Sequence, residues 1–213
     1  PQFNQRGPLV KHGFARHLPW APGPVRAEGS DIVAEFGLTH SQATLAVWPH
    51  MFAATLGVRL GAGRLQLDFS VLNTGAAALS FTLALHSYLR VGDIAGVHLD
   101  GLDGQPVWDS VTGRHARQAV PLRFTEEFDR VYQAASAPLV LSDAGRELRI
   151  AQSPNFGQTV VWNPGSALCA TLADMPPAGY QHMLCVEAAQ VDARIELDAG
   201  ARWAGWQTLT VAD

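Results

Sequence analysis

FAATLGVRLGAGRLQLDFSVLNTGAAALSFTLALHSYLRV, residues 52–91, alternates apolar and polar side chains with a period of two. This period is typical of β-strands with one buried face, because successive side chains point to opposite sides of a sheet. The alternation is broken at residues 61–63 and 73–75, where glycine and asparagine allow the positive φ angles of tight turns. The stretch therefore predicts a β-meander.

Strand-like segments continue through the rest of the chain, separated by clusters of glycine, proline and aspartate. They are residues 31–36, 43–48, 128–134, 138–142, 146–152, 158–163, 181–190, 193–197 and 206–211. No useful length of sequence has the period of an amphipathic helix, and no alternation of strands and helices indicates a parallel sheet. We therefore predict an all-β fold, an antiparallel β-sandwich that forms a single domain over residues 1–213.

The composition of the 213-residue chain is that of a globular protein, with 47% hydrophobic residues, 16% charged residues and a net charge of -4. This mild acidity gives no electrostatic reason to expect binding to nucleic acid. No apolar run reaches about 18 residues, so no membrane span is expected, and the first residues lack the order of a signal peptide. We predict a cytoplasmic protein in which Cys169 and Cys185 are free thiols.

His86 is the first candidate for chemistry, because of its place in the meander. If Leu83 and Leu85 face one side of their strand, Ala84 and His86 face the other. The small side chains before His86 would leave room for a ligand above the sheet. A lone histidine on the solvent face of an edge strand is the more common situation, so this position alone leaves both interpretations open.

Glu187 is the second candidate, because a carboxylate stands in the middle of the apolar segment MLCVEAA, residues 183–189. Burial disfavours the charged form of a carboxyl group and moves its pKa toward the range in which a general base works well. A glutamate paired with an arginine inside the sheet would give the same sequence pattern. The spacing does not decide between the two.

Five motifs in the chain together resemble the glucose-6-phosphate 1-epimerases, the hexose-6-phosphate mutarotase branch of the aldose 1-epimerase family. The motifs are HGFAR at 12–16, FTLALHSYLRVGDIAGVHLDGLDG at 81–104, DRVY at 129–132, VVWNPG at 160–165 and MLCVEAA at 183–189. They follow the order of the family and span nearly the whole chain. The resemblance implies the supersandwich fold of galactose mutarotase, in agreement with the period-two pattern.

The resemblance also implies an activity, the interconversion of the α and β anomers of hexose 6-phosphates. It makes His86 the general acid and Glu187 the general base of the ring-opening reaction. A carboxyl group with a raised pKa and a histidine suit this reaction, since both must accept and release protons near neutral pH. The chemistry requires no metal and no nucleotide cofactor, and no glycine-rich phosphate loop is visible.

Four polar residues near the start of the chain and one in the DRVY motif are the binding residues that the resemblance implies. His12 would line the sugar pocket, and Asp129 would hold sugar hydroxyls. Arg16 would bind the 6-phosphate, because its planar guanidinium suits two phosphate oxygens at once. Lys11 or Arg6 would assist Arg16.

The chain departs from the family pattern in two places. Trp108, Asp109 and Ser110 occupy the loop in which many relatives carry Tyr-x-Asp-Lys. Relatives also place several strands and another phosphate-binding arginine before the position at which this sequence starts. We therefore expect either a shortened form that lacks N-terminal strands or a sequence that omits an N-terminal part of the natural protein. If the upstream arginine is absent, phosphate binding depends on Arg16.

Three other functions stay open on the sequence alone. An aldose 1-epimerase acting on unphosphorylated sugars would use the same acid and base. A noncatalytic carbohydrate-binding sandwich would bind sugar without exchanging its anomers. A metal-dependent β-fold enzyme is the third, although the eight histidines show no His-x-His or His-x-x-x-His pairing.

Overall fold

The computed structural model describes residues 9–212, which form two compact units. The first unit comprises the residues up to Leu83 together with Gln190–Thr208, and the second comprises Ala84–Ala189 together with the residues from Leu209 onward. Arg6 lies outside the described residues. The single domain that the sequence predicts over residues 1–213 stays a prediction.

The first unit contains an antiparallel sheet with the strand order β1-β3-β4-β5-β16, and β2 pairs with β3. One turn of 3-10 helix precedes the sheet at Ala15–His17. Its further elements are β1 (Ala21–Pro22), β2 (Arg26–Glu28), β3 (Asp31–Thr39), α1 (Gln42–Val47), β4 (Phe52–Gly61), β5 (Arg64–Asn73), β6 (Leu79–Leu85, ending in the second unit), the last part of β15 (Met183–Leu197) and most of β16 (Arg202–Val211).

The predicted β-meander is confirmed only for its first two strands, and its turns form where the sequence places them. The third predicted strand, β6, belongs to a different sheet, in which it pairs with β15 and not with β5, because the chain leaves the first sheet after Asn73. β4 and β5 pair in antiparallel register from Phe52 opposite Asn73 to Gly61 opposite Arg64. Gly63 closes their turn with a φ of 64°, a left-handed conformation that glycine adopts without a steric penalty. The chain thus reverses within two residues, and the two strands stay paired along their whole length.

The second unit contains the strands β10-β9-β11-β14-β15 in that order, with β7 also paired to β15, and a smaller set ordered β13-β12-β8. The neighbouring strands in these two sets, and the pair of β7 and β15, are antiparallel. Its elements are β7 (Tyr88–Arg90), a 3-10 turn (Ile94–Gly96), β8 (His98–Asp100), β9 (Pro106–Asp109), β10 (Arg114–Arg117), β11 (Phe128–Gln133), β12 (Leu139–Asp143), β13 (Arg146–Gln152), β14 (Gln158–Asn163), α2 (Gly165–Cys169) and a 3-10 turn (Gly179–His182) before β15.

A hydrophobic core lies between these two sets of strands. Buried side chains of β9, β11, β14 and β15, among them Tyr132 and Val186, form one cluster with Leu141 and Ile150 of β12 and β13. The opposite faces of β14 and β15 are therefore free to carry polar side chains. The all-β antiparallel sandwich predicted from the sequence is confirmed.

The predicted strand over residues 43–48 is wrong, because this segment is α1. Ser41 and Thr44 form a reciprocal N-terminal cap: the Ser41 hydroxyl accepts from the Thr44 N–H at 3.2 Å, and the Thr44 hydroxyl accepts from the Ser41 N–H at 2.8 Å. Such a cap satisfies N–H groups that a helix leaves without partners at its start. Local capping thus outweighs the alternating pattern of a short segment.

Other strand boundaries also differ from the prediction. The segments 181–190 and 193–197 are one continuous strand, β15, and the short strands β1, β2 and β8–β10 were not predicted. Strands of two to four residues contain too few positions for a period of two to be visible. In residues 9–212, the helices are all too short or too polar to span a lipid bilayer.

Asn73 provides a test of the first unit, because its buried side chain connects three backbone segments. Its Nδ2 donates to the carbonyls of Ala77, Leu197 and Asp198 at 2.9, 3.0 and 3.1 Å, and its Oδ1 accepts from the Gly75 N–H at 2.9 Å. Asn73→Ala leaves these groups without partners, so the free energy of unfolding in urea should fall by about 1–3 kcal/mol. Gln42→Ala, at an exposed position of α1 in the same unit, should change it by less than about 0.5 kcal/mol. Equal effects would contradict this role of Asn73.

Candidate active site

His86 leaves the sheet at the point where β6 ends. Leu79, Phe81, Leu83 and Leu85 are buried and the residues between them are half-buried, as the alternation predicts. The strand stops at Leu85, and β7 resumes only at Tyr88. His86 therefore occupies a short break between two strands, which frees its ring from the regular spacing of a β-strand.

One face of the second unit's larger sheet gathers the polar and aromatic residues around His86. Cys185 of β15 lies opposite Tyr88 of β7 on one side and opposite Trp162 of β14 on the other, and Trp162 lies opposite Asp129 of β11. Directly opposite residues point to the same face of a sheet. Glu187, two residues beyond Cys185, points to this face too.

His86 and Glu187 contact each other directly, with 3.4 Å between Nε2 and Oε1. The Glu187 side chain is only 4% exposed, whereas that of His86 is 30% exposed. Within residues 9–212 no arginine pairs with Glu187, so the arginine partner considered from the sequence is absent there. The contact leaves no room for a sugar between the two groups, so a ligand has to approach both from the exposed side of His86.

Three side chains contact the His86 ring, and none of these contacts was predicted from the sequence. Sγ of Cys185 lies 3.7 Å from Nδ1. The Tyr88 ring stacks on the imidazole at 4.8 Å between centroids and 17° between planes, and Trp162 meets it edge-on at 6.0 Å. The spacing in the sequence could have indicated two of these contacts, since Cys185 stands two residues from Glu187 and Tyr88 two residues from His86.

Burial raises the pKa of Glu187 well above that of an exposed glutamate, and the negative charge of Asp129 raises it further. Asp129 is half-buried on β11, on the same face of the sheet. The pKa of the Cys185 thiol is raised as well, by burial first and by the Glu187 charge second. The site thus favours neutral forms of both acids.

Cys185, His86 and Glu187 are also the one trio in the described residues with the donor types and spacing of a metal site, with one ligand atom from each within 4.8 Å of the others. A thiol binds a metal as the thiolate, and the raised pKa of Cys185 opposes its deprotonation. The pair of His86 and Glu187 is better suited to proton transfer than to metal binding.

Asn163 supports the site from the buried side of the sheet. Its Nδ2 donates to the carbonyls of Tyr180 and Met183, both at 2.8 Å, and its Oδ1 accepts from the Gly165 N–H at 2.8 Å. These bonds connect the end of β14 to the start of β15.

The predicted binding residues near the start of the chain lie in a loop of the first unit. Lys11 and Arg16 are exposed, and His12 is half-buried. The Arg16 Nε–H donates to Nε2 of His17 at 3.1 Å, and neither Arg16 nor Lys11 has a carboxylate partner within the described residues. The loop therefore presents two positive charges that no described acidic group neutralises.

Aromatic contacts fix this loop on the first unit. His12 and Gly13 both have a φ of 65°, which turns the chain sharply. The Phe14 ring then packs 6.1 Å from Phe52, and the Trp20 ring 6.2 Å from Phe69. Packing against β4 and β5 therefore stabilises the conformation of the loop.

The structure thus groups the predicted residues into two sets. His86, Glu187 and Asp129 share one sheet face of the second unit, and Lys11, His12 and Arg16 share one loop of the first. A family model described as aldose 1-epimerase matches residues 1–210. The chain belongs to the aldose 1-epimerase family.

Two curated relatives in this family carry the name "Putative glucose-6-phosphate 1-epimerase". The protein from Cenchrus ciliaris is 33% identical over 96% of this chain and 66% of its own length. The protein from Salmonella typhimurium is 38% identical over 84% of this chain, and the match covers 60% of that protein. The chain therefore spans less than two thirds of the length of these relatives.

The fold is shared with a crystal structure from Salmonella typhimurium described as a "putative mutarotase". That structure is 32% identical and superposes with a TM-score of 0.87 over 99% of this chain and 70% of its own. The galactose mutarotase-like sandwich expected from the sequence is confirmed by such likenesses.

The substitution Glu187→Gln tests the raised pKa of the buried carboxyl through its effect on the free energy of unfolding. The pKa of Glu187 is higher in the folded than in the unfolded chain, where a glutamate has a pKa of about 4.3. The stabilisation from this group is therefore complete below that unfolded value and is lost as pH rises through the folded pKa. Glutamine does not ionise, so the free energy of unfolding of Glu187→Gln relative to wild type should increase from pH 4 to pH 8.

The matched control is Glu196→Gln, at an exposed position of the same strand. Its stability relative to wild type should not vary with pH in the same direction. Urea unfolding of the three proteins across this pH range makes the comparison, and parallel curves for Glu187→Gln and wild type would contradict the raised pKa.

Proposed function

We propose that this chain carries the activity of a hexose-6-phosphate mutarotase, which interconverts the α and β anomers of glucose 6-phosphate. The observation that carries the proposal is the 3.4 Å contact between Nε2 of His86 and Oε1 of Glu187, with the carboxyl buried and the imidazole partly exposed. The names of the two curated relatives support the same activity.

The reaction needs an acid and a base close together. A pyranose opens when a base removes the proton of the C1 hydroxyl while an acid protonates the ring oxygen O5. Both oxygens are bonded to C1, so the two catalytic groups must lie within a few ångströms of each other. The contact between Glu187 and His86 meets this requirement.

The proton count assigns a role to each group. The Glu187 carboxylate takes the C1 hydroxyl proton, and the His86 imidazolium gives its Nε2 proton to O5 as the C1–O5 bond breaks. The products are the open-chain aldehyde, a neutral Glu187 carboxyl and a neutral imidazole. After rotation about C1–C2, the C5 hydroxyl returns a proton to His86 as its oxygen attacks C1, and Glu187 protonates the former carbonyl oxygen.

The two side chains together hold one exchangeable proton before and after each step. The raised pKa of Glu187 suits this cycle, because burial and the charge of Asp129 stabilise the protonated carboxyl that ring opening produces. The stacked Tyr88 ring and Sγ of Cys185 keep the imidazole oriented while its charge changes. The site would return to its starting state after ring closure, with no net change in protonation.

The proposed substrate class, a hexose 6-phosphate, is inferred from the loop of the first unit that contains Lys11, His12 and Arg16. The resemblance assigns the 6-phosphate to Arg16, the sugar hydroxyls to His12 and Asp129, and a supporting charge to Lys11. The supporting observation is that the Arg16 guanidinium has no carboxylate partner in residues 9–212, so its charge is available to an anion. A planar guanidinium can donate to two phosphate oxygens at once.

Glu187→Gln tests the mechanism. Glutamine keeps the shape of the side chain but cannot accept the C1 hydroxyl proton. We expect the catalysed exchange between α- and β-glucose 6-phosphate, measured by NMR exchange spectroscopy, to fall by about a hundredfold to ten-thousandfold. Binding of glucose 6-phosphate should change little, and His86→Asn should have a smaller effect because water can protonate O5 in part.

Glu196→Gln serves as the control, since this glutamate is exposed on the same strand. It should retain the wild-type rate. Full activity in Glu187→Gln would place the base elsewhere. Sugar binding without any acceleration by the wild-type chain would favour the noncatalytic carbohydrate-binding alternative.

The substitution Arg16→Ala tests whether Arg16 binds the 6-phosphate of the substrate. The rate with glucose 6-phosphate should fall strongly, while the slower exchange of unphosphorylated glucose should stay nearly unchanged, because only the phosphorylated sugar loses a partner. Arg194→Ala, at another exposed position of the first unit, should affect neither substrate. Equal losses on both sugars would mean that Arg16 organises its loop, and wild-type indifference to the phosphate would indicate an epimerase of unphosphorylated aldoses.

A further inference from the structure

A cleft of about 350 Å³ in the second unit carries positive charge that the proposed mechanism does not use. It is lined by Arg90 at the end of β7, by Val91 and Gly92 in the following loop, by Arg146 at the start of β13, and by His182 just before β15. Three of these five residues have basic side chains. This concentration is unusual in a chain with a net charge of -4.

The backbone of Gly92 organises two of the basic residues. Nδ1 of His182 lies 2.7 Å from the Gly92 carbonyl, so this nitrogen carries a hydrogen and donates, and Nε2 points away from the bond. The Gly92 N–H donates to Oδ2 of Asp143 at 2.8 Å, and Asp143 also pairs with Arg146. His182 and Arg146 are thus both fixed through one peptide segment.

Glycine suits this position because Asp143 approaches it closely. A Cβ on residue 92 would lie 3.2 Å from Oδ1 of Asp143, closer than an ordinary van der Waals contact. Asp143 is buried, and its two bonds hold it in place. It therefore orients the Arg146 guanidinium, whose side chain remains 64% exposed.

Arg90 adds a charge that nothing in the described chain neutralises. It is exposed, and within residues 9–212 it makes no hydrogen bond or ion pair with another side chain. Its place beside His182 is fixed by the backbone, since Arg90 lies opposite Met183 and the Val91 N–H donates to the His182 carbonyl at 3.1 Å. The cleft thus has two guanidinium groups and one imidazole against a single carboxylate.

We propose that this cleft is an anion site that binds a phosphate group, either inorganic phosphate or the monoester of a sugar phosphate. Two guanidinium groups can donate to several oxygens of a tetrahedral dianion, and the outward nitrogen of His182 can donate to another oxygen in the imidazolium form, in which both ring nitrogens carry a hydrogen. A single carboxylate ligand would use fewer of these donors and would balance less of the charge. The proposal goes beyond the mutarotase activity and does not depend on it.

The test follows NMR signals of the ¹⁵N-labelled full chain as inorganic phosphate is added at constant ionic strength. The Gly92 amide and the His182 ring should shift and saturate together. Arg90→Gln, which removes a charge but keeps an exposed polar side chain, should weaken the affinity by about tenfold, the effect of losing one charge-assisted hydrogen bond. Arg149→Gln, an exposed arginine on β13 that does not line the cleft, should leave it unchanged.

The same titration with glucose 6-phosphate and with glucose separates the two sources of the phosphate group. Equal affinity for inorganic phosphate and glucose 6-phosphate identifies phosphate alone as the ligand, and tighter binding of glucose 6-phosphate identifies the sugar monoester. Shifts caused equally by glucose would overturn the proposal. So would the absence of saturable shifts at Gly92 and His182, or an affinity for phosphate that Arg90→Gln leaves unaltered. These signals report on the cleft whether or not the chain exchanges anomers.

Discussion

The burial of one carboxyl group is the constraint on which the candidate site depends. Glu187 is 4% exposed and stands in a strand whose neighbouring residues are buried on both faces. Ionising it there costs free energy that an exposed glutamate would not lose, and the charge of Asp129 adds to that cost. The imidazole of His86, 3.4 Å from this carboxyl, is a second group that can hold a proton, so the two side chains are placed to share one.

The pairing of the strands explains how residues far apart in sequence meet at this carboxyl. Tyr88, Cys185, Trp162 and Asp129 stand in one row across four neighbouring strands. Each strand supplies one side chain of the row, and the ladder of backbone hydrogen bonds fixes the spacing between them. The opposite faces of β14 and β15 pack into the hydrophobic core, which keeps the row from shifting. The sheet thus fixes the positions of these four side chains, whereas the position of His86 depends on the break between β6 and β7.

The sequence predicted the class of fold and the hairpin of β4 and β5, because a period of two fixes which side chains share a face. It also singled out His86 and Glu187, which the structure brings into contact, although only the resemblance to the family gave them the roles of acid and base. It did not predict the break at Leu85, the short strands β8–β10 or the α1 helix, whose formation depends on one local cap at Ser41. It also could not show that Cys185 and Tyr88 hold the imidazole. Those contacts depend on the register between β7 and β15, and register is not encoded within either strand alone.

The sulfur beside the imidazole has a consequence for reactivity. A cysteine next to a histidine often forms a thiolate–imidazolium pair, in which the sulfur attacks electrophiles. Here Cys185 is fully buried, and burial together with the charge of Glu187 raises the pKa of its thiol. The thiolate is therefore suppressed, and alkylating agents and oxidants meet a poor nucleophile. A cysteine and a histidine in contact would suggest covalent catalysis, but burial makes this sulfur a poor nucleophile, so the proposed chemistry of the site involves His86 and Glu187 and not the thiol.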